Sequence, residues 1–186
     1  MNENAIIKGY ITNLGKYNEG ALAYKLISFP IDEDELNEAL KSIGCRYVDE
    51  NGKEHNPFYE EYFFSDWECE IPFEFGEYPS ISEVNDIAER VEALKEYEQD
   101  VLKVILEAHT SDVDEALQIV ENCNYRTWGG CDNMADVAET MADEYGYLDD
   151  IPENLRYYID YEKWGRDLKL EGTFLEGDGF FVEVFA

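Results

Sequence analysis

The sequence predicts an α+β fold, elongated and built from three small domains. These are an N-terminal α+β domain with antiparallel strands over 1–79, a central helical domain over 80–122 and a C-terminal α+β domain over 123–186. Three observations predict it. β-Branched and aromatic runs bounded by turn residues lie at both ends of the chain, and helix-start signals follow one another in the middle. Fourteen Lys and Arg also stand against 44 Asp and Glu, a formal net charge of −30. A compact globule of this length has a radius of gyration of roughly 16 Å. At one phosphate per roughly 1.7 Å of B-DNA, thirty charges match about 15 base pairs, or about 50 Å. Such a charge density fits a long body better than a sphere.

Taken in order, Ala5 to Thr12 and Leu22 to Phe29 read as strands joined by the Gly- and Asn-bearing loop at 13–20. A helix over 32–43 follows, with Asp32 at its cap, Glu35 at the capping-box position and Gly44 suited to a left-handed terminus. Asn51-Gly52 marks a tight turn, and Tyr59 to Glu70 is a further strand. Pro72 and Pro79 then punctuate the chain. Helices are predicted over 81–97, 98–109 and 112–122, the first opened by Ser80 to Glu83 and the last capped by Ser111. Val84, Ile87, Val91 and Leu94 form an apolar stripe at helical spacing. Asn124 to Trp128 is a short strand, a helix over 133–145 stops at Gly146, and Pro152 and Asp160 open two more helices. Thr173 to Leu175 and Phe180 to Phe185 pair as a hairpin across the loop 176–179.

With 45% hydrophobic and 15% aromatic residues the chain carries enough apolar surface to fold, unlike a disordered acidic tail. Phe63, Phe64, Trp67, Trp128 and the fourteen tyrosines are expected to build an ordinary core, which argues against mere adaptation to high salt. No apolar run reaches the roughly 20 residues that span a bilayer, and Met1 to Asn4 carries no signal-peptide core, so a cytoplasmic protein without membrane contact is expected. Cys45, Cys69, Cys123 and Cys131 lack CxxC spacing and, with only His55 and His109 beside them, compose no zinc site; reduced, mostly buried thiols are expected. Asp32-x-Asp34 lacks the rest of a calcium loop, and neither a phosphate-binding glycine loop nor a nucleophile elbow is present. Gly177-x-Gly179 reads as a turn and His109 as structural. No catalytic residue, cofactor or metal is therefore expected.

The charge is distributed as well as abundant. From Glu54 to Glu89 there is no Lys or Arg but eleven carboxylates, and from Val104 to Leu155 Arg126 alone faces thirteen. Solubility alone does not require basic residues to be excluded from such stretches. The candidate acidic surface comprises Glu60, Glu61, Asp66, Glu68, Glu70, Glu74, Glu77, Glu83 and Asp86 in the first half. In the second it comprises Asp112, Asp114, Glu115, Asp132, Asp136, Glu139, Asp143, Glu144, Asp149 and Asp150. Asp136, Glu139 and Asp143 share one helix face, and Glu144 in the last turn opposes the macrodipole. This array has the charge of DNA without its nucleotides. The leading reading is a binding protein that competes with DNA for a basic groove. An acidic hydrolase using a carboxylate pair, and a scaffold whose charge serves solubility, are the alternatives.

Tyr10 to Leu22 (YITNLGKYNEGAL), Phe64 to Glu68 (FSDWE) and Asp132 to Phe174, with YYIDYEKWGRDLKLEGTF, resemble the ArdA-type antirestriction proteins over nearly the whole chain. The resemblance implies a curved protein of three small domains, dimerising through its C-terminal part. It also implies that the homodimer imitates bent B-DNA and binds the DNA groove of type I restriction-modification enzymes, itself contacting no nucleic acid. The segment Asp132 to Gly146 matches the family's antirestriction motif. Two features depart from the pattern: the stretch Cys45 to Pro57 is longer than the usual connection, and Ser65 stands where a histidine is expected.

Overall fold

The computed structural model describes residues 5–56 and 58–185; Met1 to Asn4, and with them the reading of the N-terminus, lie outside the described residues. Helices and small antiparallel sheets make an α+β fold. The chain divides into two compact units, Met1–Lys95 and Glu96–Ala186.

In the first unit β1 (Ile7–Asn13), β2 (Tyr24–Phe29) and β5 (Tyr62–Cys69) form a sheet with β1 in the middle. Alternation places Ile7 and Ile11 on its covered face together with Ile27, Phe29 and Phe64, against which Ala39, Leu40 and Ile43 of α2 (Glu33–Ile43) pack. Gly9 is required there. A Cβ at that position would come within 2.7 Å of the Trp67 ring and 2.8 Å of Phe64, so the missing side chain lets both rings lie across β1. The Asp32 carboxylate caps α2 through the Glu35 N–H, and Gly44 closes it at φ 73°. The long stretch noted in the sequence folds into a hairpin of β3 (Tyr47–Val48) and β4 (Glu54–His55), turned at Asn51-Gly52 with Gly52 at φ 76°. Ser65 shares a 2.9 Å hydrogen bond with Thr12 across the sheet.

The loop expected at 13–20 contains a short helix, α1 (Leu14–Asn18). Its cap is Asn13, whose amide nitrogen also donates to the Ile43 carbonyl, as does Lys16 Nζ at 2.9 Å. The helix is thus held by the end of α2, a contact that local composition does not reveal. α3 (Ile81–Ala93) starts from Ser80 as expected but stops four residues early, because Leu94 turns extended at ψ 146°.

In the second unit α4 (Glu96–Ala108) packs on α5 (Val113–Glu121), and Val101, Leu102 and Ile105 of the first and Ala116 and Leu117 of the second are buried. Asp112, not Ser111, caps α5: the backbone is still extended at Asp112 (ψ 111°) and turns helical at Val113, so the Asp112 carboxylate accepts from the Asp114 and Glu115 N–H groups. β6 (Tyr125–Gly129), β8 (Phe180–Val184) and β7 (Thr173–Glu176) form an antiparallel sheet with β8 central. Trp128, Val137, Met141 and Phe181 make the core beneath α6 (Met134–Glu144). α7 (Glu153–Arg156) leads to α8 (Tyr161–Glu171), which packs along α6. Gly165 permits that approach, since a Cβ there would overlap the Met134 carbonyl. Among the described residues no helix is long and apolar enough to cross a membrane.

Candidate acidic binding surface

β5 and the segment after it set out the acidic residues of the first unit. Trp67 and Cys69 turn inward, so Asp66, Glu68 and Glu70 point outward at alternate positions, roughly 6.7 Å apart along the chain. Glu60 and Glu61 precede them, Glu74 and Glu77 follow on the return segment, and Glu83 and Asp86 stand in the first turns of α3. In the second unit Asp112, Asp114 and Glu115 gather at the start of α5, Asp132 and Asp136 at the start of α6, and Glu139, Asp143 and Glu144 along it, with Asp149 and Asp150 beyond its end. Every one is exposed except Asp136, which is half-buried.

These carboxylates divide by what they already hold. Glu60 lies 3.4 Å from Arg46 and Asp86 3.7 Å from Arg90. Glu68 accepts the Tyr10 hydroxyl at 2.5 Å, a bond that, ahead of burial and the carboxylate's charge, raises the Tyr10 pKa. Glu115 accepts from Thr110, and Asp136 closes a capping box with Asn133. By contrast no Lys or Arg pairs with Glu70, Glu74, Glu77, Asp132, Glu139 or Asp143 among the described residues. Their field is available to a partner.

Glu144 is not the unsupported charge that its place in the last turn of α6 implies. It binds Arg126, whose guanidinium also donates to the Tyr145 hydroxyl and lies 4.3 Å from the Trp128 ring centroid and 4.9 Å from that of Tyr145. The lone cation of the stretch 104–155 is thus held by a carboxylate and two rings.

The aromatic expectation needs a larger correction. Phe63, Phe64 and Trp128 are buried, but Tyr17, Tyr24, Tyr78, Tyr97, Tyr145, Tyr147, Tyr157 and Tyr158 are exposed, Tyr157 at 89%. The signal was the choice of Tyr over Phe, since a phenol carries a polar end that favours contact with water. Tyr145, Tyr147, Trp164 and Tyr161 form a ladder with centroids 5.4, 5.9 and 6.3 Å apart, and burial, followed by the charges of Glu139 and Asp143, raises the Tyr161 pKa.

Among the described residues no group of His, Cys, Asp and Glu is placed to hold a metal ion. His109 is exposed at the end of α4. All four cysteines are free, Cys45 and Cys131 buried, Cys69 partly so and Cys123 exposed; burial lifts the Cys45 and Cys69 thiols to about 11. His55 stacks on Tyr47 and binds Asp49 at 2.9 Å, a pair that pins the β3–β4 hairpin.

No curated protein matches the chain. The model of one protein family, described as antirestriction protein (ArdA), does match it, over residues 9–183, and thereby takes in most of both compact units and the whole candidate acidic surface. The chain belongs to the ArdA family of antirestriction proteins.

Proposed function

We propose that this protein blocks restriction by imitating DNA. Its carboxylates occupy the DNA-binding groove of the methyltransferase core of a type I restriction-modification enzyme and exclude the duplex. The observation that carries the reading is the set of exposed carboxylates, such as Glu70, Glu74, Glu77, Asp132, Glu139 and Asp143, that pair with no Lys or Arg among the described residues, in stretches almost without Lys or Arg. A carboxylate bears one negative charge, as a phosphodiester does, and a groove that gains from displacing counterions around DNA gains similarly from a fixed anionic array. The protein works as a cytoplasmic homodimer, which doubles the −30 charge of one chain, and it carries out no reaction of its own.

Because the charge is shared among many groups, single Asp→Asn or Glu→Gln changes weaken binding only slightly, by about twofold or less. Neutralising Glu60, Glu61, Asp66, Glu70, Glu74 and Glu77 together weakens it by about tenfold or more. The measurement is the affinity of each folded variant for a purified type I methyltransferase core. One neutral substitution that abolished inhibition while leaving the fold intact would point instead to a single hot spot or a catalytic group.

A further inference from the structure

We propose that the free edge of the first unit's three-stranded sheet takes up an extended basic segment of a protein partner as an added strand. The register of β1 on β2 decides which backbone groups that edge presents. The Asn13 N–H donates to the Ala23 carbonyl at 2.9 Å, so Ala23, Lys25 and Ile27 turn their peptide groups to β1. Tyr24 and Leu26, between them, turn theirs away from β1, and β2 is the end strand. Among the described residues no backbone group meets them there. The opposite edge is closed by the chain itself, since the Phe64 N–H of β5 donates to the Glu77 carbonyl at 2.8 Å. An edge left open in this way is a template for another strand.

A groove of about 420 Å³ opens between this edge and α2. Ile27, Pro30 and Ile31 are its apolar part, and Asp34, Glu35 and Glu38, all exposed, set three carboxylates against the one ammonium of Lys25. Glu38 is shared with Lys41 at 3.2 Å, but no Lys or Arg among the described residues pairs with Asp34 or Glu35. A strand laid antiparallel on β2 sends alternate side chains to the two faces of the sheet. Those opposite Lys25 and Ile27 fall on the α2 side, beside the acids. Those opposite Tyr24 and Leu26 fall on the other face, where Tyr24 is 57% exposed and meets Tyr10 edge to ring at 5.9 Å. The occupant is therefore a run in which basic and β-branched or aromatic residues alternate. Backbone hydrogen bonds hold it, and the acids of α2 select its charge. A second copy suits the edge less well, because pairing β2 with itself sets two acidic α2 helices side by side on chains that each carry −30.

The strand site does not rest on the DNA-groove reading, and its test leaves the restriction enzyme out. The full chain is titrated with acetyl-Arg-Val-Thr-Val-amide, whose arginine falls opposite Ile27 and whose valines fall opposite Leu26 and Tyr24. Nuclear magnetic resonance follows the backbone amides. Saturable shifts and slowed hydrogen exchange at Tyr24 and Leu26 are expected. The same peptide with both valines N-methylated, or with glutamate for arginine, is expected to bind about tenfold or more weakly. Leu26→Pro removes one outward N–H at an edge position that tolerates proline and leaves the bonds to β1 in place. It weakens the parent peptide by about tenfold. Asp34→Asn/Glu35→Gln weakens it by about threefold, while Glu92→Gln/Glu107→Gln, which loses the same charge elsewhere, changes it by less than about 1.5-fold. An N-methylated peptide that binds like the parent overturns strand addition, even where the proline variant does not fold. Equal binding of the glutamate peptide removes the basic occupant, and shifts spread over both units reduce the binding to charge alone. Protection of the Tyr24 and Leu26 amides that grows with protein concentration, without peptide, assigns the edge to a second copy and overturns the proposal as well.

Discussion

Arg126 serves the fold while its positive charge opposes the acidic field around it. Its guanidinium joins β6 to the end of α6 through Glu144, Tyr145 and Trp128. Arg126→Gln is expected to destabilise the protein by about 1 kcal/mol, the sum of a partly exposed ion pair and a cation–π contact. Binding to the restriction enzyme should be kept or tightened, because the substitution removes a positive charge. Chemical denaturation beside a binding assay checks both halves; weaker binding at unchanged stability would place Arg126 in the interface instead. Asp49 gives a residue-scale dependence on pH. Its hydrogen bond from His55, followed by those from the Lys53 and Asn51 N–H groups, holds its pKa at about 2. An unfolded aspartate titrates near 3.9, so the folded pKa is the lower one. The contribution is fully present above about pH 4 and is lost as pH falls toward about 2. The Asn51 and Lys53 amides report it by magnetic resonance. A midpoint near that of a free aspartate would show that the hairpin does not depend on Asp49.

Among the elements, the packing of α8 on α6 depends on Gly165. Alanine is ordinarily the better helix former by about 1 kcal/mol, but here its methyl group would meet the Met134 carbonyl and force the helices apart. Gly165→Ala is expected to cost about 2 kcal/mol in urea denaturation, the reverse of the usual sign; a stabilised variant would contradict the close approach. The same contrast explains what was legible in the sequence. Helices opened by their own caps, at Asp32, Ser80 and Asp160, could be read because the signal lies within three or four residues. The strands could be read because β-branched and aromatic residues sit together between turns. α1 could not, since Asn13 and Lys16 anchor it to Ile43, some thirty residues away. Ser111 and Asp112 are both good caps, and the backbone rather than composition chose between them. The acidic residues were legible as a set, because carboxylates without cations stay in water. Which of them hold Arg46, Arg90 or Arg126 was not, as those pairs join elements distant in sequence or depend on rotamer.

For the molecule as a whole, the decisive property is a net charge of −30 presented by a folded chain in place of a polynucleotide. DNA's affinity for a basic groove falls steeply with salt because ions condensed on a regular polyanion are released on binding. A protein with 14 cations among unevenly spaced carboxylates condenses fewer ions, and apolar contacts at the rim of an interface are little affected by salt. Its affinity should therefore decline with a shallower slope than DNA's between about 50 and 200 mM salt, so that its advantage widens as salt rises. A slope equal to DNA's would reduce the mechanism to counterion release, and none at all would remove the anionic mimic. The most direct measurement is a gel-shift competition on a purified type I methyltransferase core carrying labelled duplex. The protein is expected to displace the duplex completely, with a midpoint that rises in proportion to the DNA present. A slower-migrating complex holding enzyme, duplex and protein together would contradict occupation of the DNA groove.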